Sequence, residues 1–333
     1  MASSPVTEEA ASPALESPRA PWEIPLAACL SALFFAAFLV VPLFGALGFP
    51  FAAVPPVRVT HRRGLAAGLV ATILAAGILF GVALASAGWR EAAGVVAAAA
   101  MVTGLPVLFA GRVRRGADSS QAFLELALGG CVLLSGILLA LPFAGRPPVE
   151  SELRSAFDAM IPAALESYRH GNADAETMER VRTTLIAARD FAGRYWAGLI
   201  GGCWILGAAV AYYAGARLAR PAASARSVRF EALEVPAGVA GLFVAAGAAF
   251  AFLNGLPRTV AGDVLLTLAA LYFVAGLSII CHFARRWFRT RILRLVLYVP
   301  AAYFPMSLGV ALLGLFDWYL HLRRRGEKEE TRR

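Results

Sequence analysis

Apolar residues fall into long runs separated by short polar links. The runs are Trp22–Leu47, Phe49–Val59, Leu65–Ala87, Ala92–Ala110, Ala122–Ala144, Tyr195–Ala216, Val235–Leu253, Val260–Ala284 and Ile292–Leu320. A hydrocarbon core of about 30 Å takes about 20 residues of helix to cross, and backbone polar groups inside it must pair within the segment. Eight runs have that reach and are predicted to be membrane helices. Phe49–Val59 is short and carries Pro50, Pro55 and Pro56, so it is predicted to be a short span or a re-entrant segment. Alternating segments of the outer-membrane barrel type are absent. The predicted fold is therefore all-α, a polytopic helix bundle of about eight spans plus one short segment.

The flanks and the one long polar insertion divide the chain. Residues 1–21 are rich in Ser, Pro, Ala and Glu without apolar periodicity, and read as a disordered tail. Glu8, Glu9, Glu16 and Glu23 outweigh Arg19 ahead of the first run, the reverse of a secretory signal. That run is thus expected to stay in the membrane. Membrane helices occupy 22–144 and 194–322, with a charged tail at 323–333. Between them, 145–193 carries Leu153, Phe157, Met160, Ile161, Leu165 and Tyr168 at helical spacing, then Met178, Val181 and Leu185 after Gly171-Asn172-Ala173-Asp174. This predicts two amphipathic helices joined by a turn, with Asp174 as N-cap, capping the outer end of the bundle.

Composition agrees with the pattern. The AVILMFWYC fraction is 59% and the charged fraction 16%, well under the quarter usual in soluble domains. Mean hydropathy is +0.66. The net charge of +9 does not point to nucleic acid, because the basic residues punctuate the apolar runs. Arg58, Arg62 and Arg63 form one cluster; Arg112, Arg114 and Arg115 a second; Arg217, Arg220, Arg226 and Arg229 a third; Arg285, Arg286, Arg289, Arg291 and Arg294 a fourth. Pairs of spans separate these clusters, so all four can share one side, which the positive-inside rule makes the cytoplasm. The N-terminus lies on that side if Phe49–Val59 crosses and on the other if it does not. A single final crossing puts Arg323, Arg324 and Arg325 outside, against the rule. Trp22, Trp89, Trp196, Trp287 and Trp318, five of the six tryptophans, sit at run ends as an interfacial belt.

Candidate chemistry is sparse. Cys29, Cys131, Cys203 and Cys281 each lie in an apolar run, with no CxxC pair and no histidine at ligand spacing. No metal or cofactor is therefore expected. Walker, HExxH and GxSxG motifs are absent, so no ATPase and no enzyme activity is expected. Polar groups inside apolar runs are the default candidates for binding a solute: Glu125, Asn254, Asp263, His282 and Asp317. Each has a plainer reading. Glu125 can pair with the Arg112–Arg115 loop, Asp263 and Asn254 can serve Arg258 or a helix cap, His282 can pack at the interface, and Asp317 can pair with Arg323–Arg325. Ala28, Ala32 and Ala36 form a small-residue stripe for helix packing or a partner face, and Gly198, Gly201 and Gly202 do the same later.

Three stretches carry a family resemblance. They are Val41-Pro42-Leu43 through Pro50, Pro55-Pro56 to Arg63-Gly64; Tyr272-Phe273-Val274-Ala275-Gly276-Leu277-Ser278; and Leu313-Gly314-Leu315-Phe316-Asp317-Trp318-Tyr319 followed by Arg323-Arg324-Arg325. The chain resembles the YybS-like family of bacterial multi-pass membrane proteins, whose function is unknown. That family is similar to the S-components of energy-coupling-factor vitamin transporters. The resemblance implies a first helix followed by a short second one, a bound small solute, and a separate coupling protein and ATPase subunits as partners. It also implies that Ala28, Ala32 and Ala36 could form the face that meets the coupling protein. More spans and the outer insertion set this chain apart from that group. The expected function is a solute-binding transporter component of the inner membrane. The alternative is a non-transporting scaffold or regulator that binds a protein or anionic lipid.

Overall fold

The computed structural model describes residues 21–40, 49–171, 174–219, 228–287 and 306–320, and among these no strand occurs. The protein is an all-α polytopic bundle. In chain order the helices are α1 (Glu23–Val40), α2 (Val54–Arg63), α3 (Leu65–Ala87), α4 (Trp89–Arg114), α5 (Ser119–Leu124) and α6 (Gly130–Ala140). They continue with α7 (Val149–His170), α8 (Ala175–Arg194), α9 (Trp196–Leu218), α10 (Ala237–Phe252), α11 (Leu256–Trp287) and α12 (Met306–Leu320). A π-helical turn, Glu125–Gly129, joins α5 to α6 in one apolar rod.

Five segments are long and apolar enough to cross a membrane: Leu65–Ser86, Trp89–Arg114, Ser119–Phe143, Trp196–Leu218 and Leu256–Arg286. Among the described residues, three of the eight full spans expected are represented by shorter apolar helices: Glu23–Ala37, Ala237–Phe252 and Met306–Asp317. The reason for α10 is visible. Pro236 delays its start, and its 16 residues rise only about 24 Å. Large apolar side chains on the outside, such as Leu33, Ile73, Val132 and Val244, are exposed because their solvent is lipid.

Contacts between helices fix the directions of travel. Ala27 packs with Val59 and Ala71, while Ala28, Ala32 and Phe35 meet Ala75, Leu79 and Ala99. So α1 and α3 rise side by side from the arginine face. Glu23, the first residue of α1, binds Arg62 and Arg63 there. The N-terminal end of α1 therefore lies on the arginine face, the side the sequence tied to a full crossing by Phe49–Val59, although α2 reaches that face without crossing the bilayer. At the other end of the chain, Gly276 meets Val310 and Gly314 meets Tyr272, so α12 runs antiparallel to α11 and away from the arginine face. Residues 323–325 lie outside the described residues.

Two reversals are as tight as a chain allows. Gly64 alone joins α2 to α3, and Gly88 alone joins α3 to α4, with φ of +106° and +92°. Only glycine adopts such angles without strain. Elsewhere glycines let backbones touch. A Cβ on Gly198 or Gly201 would stand 2.7 Å from Asp263 Cα or Thr267 Oγ1, which seats α9 on α11.

The insertion forms an antiparallel hairpin of α7 and α8, closed by the Arg189–Asp158 pair at 2.8 Å. Asp174 caps α8, accepting from Thr177 N–H at 2.9 Å. The hairpin does not lie across the bundle end as expected. Among its residues only Val149, Ala192 and Gly193, at its foot, are buried.

Candidate functional site

The short helix α2 occupies the centre of the inner half of the bundle. Val54, Pro56, Val57, Val59, Thr60 and His61 are all buried, against α1, α3, α4 and α9. Its depth follows from two rulers. Ser31 Oγ donates to Ala52 O at 2.7 Å, and Ser31 stands eight residues above Glu23 on α1, a rise of about 12 Å. The ten residues of α2 then descend about 15 Å to the arginine face. So α2 begins near the middle of a bilayer of about 30 Å and does not cross it. Prolines 55 and 56 suit this start, because their missing N–H groups would have no intrahelical partner there.

Other irregularities gather at the same depth. Pro106, inside α4, leaves the carbonyl of Val102 without its usual helical donor. Both residues line a cavity of about 20 Å³, shared with Pro50, Ala53, Cys203, Trp204 and Gly207. That is room for about one water molecule, in an apolar setting. Beside it, the π turn before α6 misaligns the helical ladder. Trp204 repairs the break, its indole N–H donating to Leu126 O at 3.2 Å. A Cβ on Gly130 would overlap that indole, so glycine is required where the ring enters.

Below α2 lies a buried ionic cluster. Glu23 is only 9% exposed. Arg62 Nη1 donates to its Oε1 at 2.5 Å and Arg63 Nε to its Oε2 at 2.9 Å, with Arg58 Nη2 at 3.9 Å. Arg114 Nη1 donates to Thr60 O at 3.1 Å and His61 O at 3.2 Å, satisfying the C-terminal carbonyls of α2. These contacts tie α1, α2 and α4 together at the arginine face.

The five polar candidates from the sequence do not assemble into one site. Glu125 sits in the π turn near the arginine face, bound by Arg112 and by Gln121 Nε2 at 3.0 Å. Asp263 lies towards the opposite face, where Oδ1 accepts from the N–H of Gly198 at 2.8 Å and so caps α9 from α11. Asn254 is exposed in the link between α10 and α11. Arg258 does not pair with Asp263 in the described contacts; its guanidinium stands 5.0 Å over the Phe250 ring. His282 is half-buried on α11, edge-on to Phe283. Asp317 follows Gly314 by one turn on α12, and its expected partners fall outside the described residues. Ala28 and Ala32 are buried against α3 and α4, with Ala36 packed beside them. The stripe serves packing within the chain, and this excludes it as an open partner face.

Two features escaped the sequence reading. Glu23 was counted only as flanking charge, though its signal was an acid one residue inside an apolar run. Trp204 is the one tryptophan away from a run end, and that exception marked the π turn. The resemblance motifs also gain a physical meaning. Gly276 and Gly314, one from each of the last two, lie where α11 and α12 meet backbone to backbone, each leaving no space for a Cβ.

No curated protein and no solved structure matches the chain. The pattern of one family, described as a predicted membrane protein (DUF2232), matches residues 29–318, from within α1 to within α12. A multi-pass helical chain matched over that length belongs to the DUF2232 family of predicted membrane proteins.

Proposed function

We propose that this chain is an inner-membrane component that binds a small solute within its bundle and has no ATPase of its own. The observation that carries the reading is α2, a half-length helix that starts near mid-depth beside a cavity. Discontinuous helices at the midplane are where transporters commonly hold their cargo, because an unwound backbone offers polar groups away from water. The order of a long first helix and a short second one also fits the resemblance to S-components, for which a coupling protein and ATPase subunits would supply the energy. A cavity of about 20 Å³ holds no solute as it stands, so binding requires α2 to withdraw. The buried positions of Ala28 and Ala32 mean that any coupling protein uses another face of the bundle.

The test is to purify the protein and identify small molecules that travel with it. Gly207→Leu fills the cavity and should abolish their retention while leaving the chain folded. Retention unchanged by that substitution would remove α2 and its cavity from the reading. A second reading, a scaffold that engages a protein, is favoured by the hairpin of α7 and α8, which exposes Met160, Tyr168 and Phe191. Under it, a protein partner is captured through the hairpin and no solute is found.

A further inference from the structure

Arginines cluster around the lower end of α2. Arg58, Arg62, Arg63 and Arg114 converge there, and Glu23 is the carboxylate that the described contacts bring to them. Arg114 binds neutral carbonyls, so it neutralises nothing. Arg58 and Arg62 thus share one carboxylate, Glu23. A guanidinium left short of partners at a membrane face gains from an anion that supplies them.

Arg58 is the least satisfied of the four. It lies one helical turn nearer mid-depth than Arg62, on the same side of α2. Its Nη2 is 3.9 Å from Glu23, beyond hydrogen-bond reach, and its Nε is buried with no hydrogen-bond partner. Its side chain is nonetheless 42% exposed. It therefore presents an open guanidinium edge just inside the membrane boundary, the level at which lipid phosphates lie. A planar fork of donors matches phosphate oxygens in pairs.

We propose that Arg58, with Arg62 beside it, holds the phosphate of an anionic phospholipid against α1 and α2 on the arginine face. The lipid completes the ionic cluster and fastens α2 from below. Surface arginines contribute on the order of fivefold each to binding of anionic lipid.

The experiment uses the full chain in bilayers of phosphatidylcholine mixed with phosphatidylglycerol, and reads the lipid retained after extraction by native mass spectrometry. Wild type should retain phosphatidylglycerol in preference to phosphatidylcholine. Arg58→Gln should reduce that preference about fivefold, while the Glu23 pairs to Arg62 and Arg63 keep the fold. Arg58→Lys keeps the charge without the fork and should fall between the two. Arg229→Gln, an exposed arginine on the same face, should change nothing. Absence of a preference in wild type overturns the proposal, as does an equal loss in Arg229→Gln. Inorganic phosphate that displaces the lipid and stabilises the protein equally in pure phosphatidylcholine would assign the site to a free anion instead.

Discussion

Glu23→Gln tests how the inner half of the bundle is held. The substitution keeps the shape of the side chain and removes its charge. It replaces two charge-assisted hydrogen bonds, at 2.5 and 2.9 Å, with weaker neutral contacts. Breaking a buried ion pair in this way costs about 3–5 kcal/mol. Arg62 is 31% exposed and Arg63 16%, so solvent screens part of the loss, and the lower end, about 3 kcal/mol, is expected. For a chain of this size that corresponds to about 4–5 °C in melting temperature. Thermal unfolding in a mild detergent, followed by tryptophan fluorescence, measures it. Arg62→Gln in the Glu23→Gln background should add little, because its partner has already gone. Arg115→Gln, at an exposed arginine of the same face, should shift the midpoint by no more than about 1–2 °C. If Glu23→Gln behaves like Arg115→Gln, the cluster is a surface feature and the argument for its role fails.

Further outcomes follow from other contacts. Gly314→Val should cost about 3 kcal/mol or more, because any Cβ there meets the backbone of α11; loss of monodisperse protein on size exclusion is the readout, and wild-type behaviour would refute the packing. Trp204→Phe keeps the ring but strands Leu126 O, for a loss of about 1–3 kcal/mol, measurable as a lower melting temperature. Cysteines placed at Met160 and Tyr319 should react with an impermeant reagent from one side and a cysteine at Arg115 from the other; a Tyr319 site that reacts with Arg115 would reverse the direction of α12. The Asp174 carboxyl is held below the usual carboxylate range by hydrogen bonds from Thr177. A depressed folded-state pKa stabilises above the unfolded value of about 4 and is lost as pH falls through the folded one. Hydrogen exchange in the first turn of α8 should therefore quicken at low pH, relative to the intrinsic rate, in wild type. In Asp174→Ala it should show no such dependence.

The spans were legible because bilayer thickness sets a minimum apolar length, which periodicity and the tryptophan belt both report. The joints at Gly64 and Gly88 fall in the gaps between the apolar runs, although nothing in the pattern marked either as a single residue. The depth of α2 was not legible, since it depends on Ser31 meeting Ala52, a contact across 21 residues that no local pattern encodes. The short reach of α10 was hidden by a run, Val235–Leu253, whose first two residues, Val235 and Pro236, stand ahead of the helix. The polar candidates illustrate a different limit. Glu125 and Asp263 do occupy the expected apolar runs, yet each is engaged locally, by Arg112 and by the end of α9. Sequence marks a costly side chain, whereas only packing tells whether that cost has been met nearby. For Ala28 and Ala32 the sequence left open which surface the stripe meets, and the structure sets them against α3 and α4.

The single-glycine joints have a mechanical corollary. With Gly64 and Gly88 as the whole of their connections, α2, α3 and α4 form a folded rule without slack. A tilt of α2 cannot be absorbed by a loop and must be handed to α3 as a push along its axis or a swing about Gly64. Any withdrawal of α2 would then register at Trp89, on the far side of the membrane from the arginine cluster, which makes that joint the natural place for a spectroscopic probe of motion.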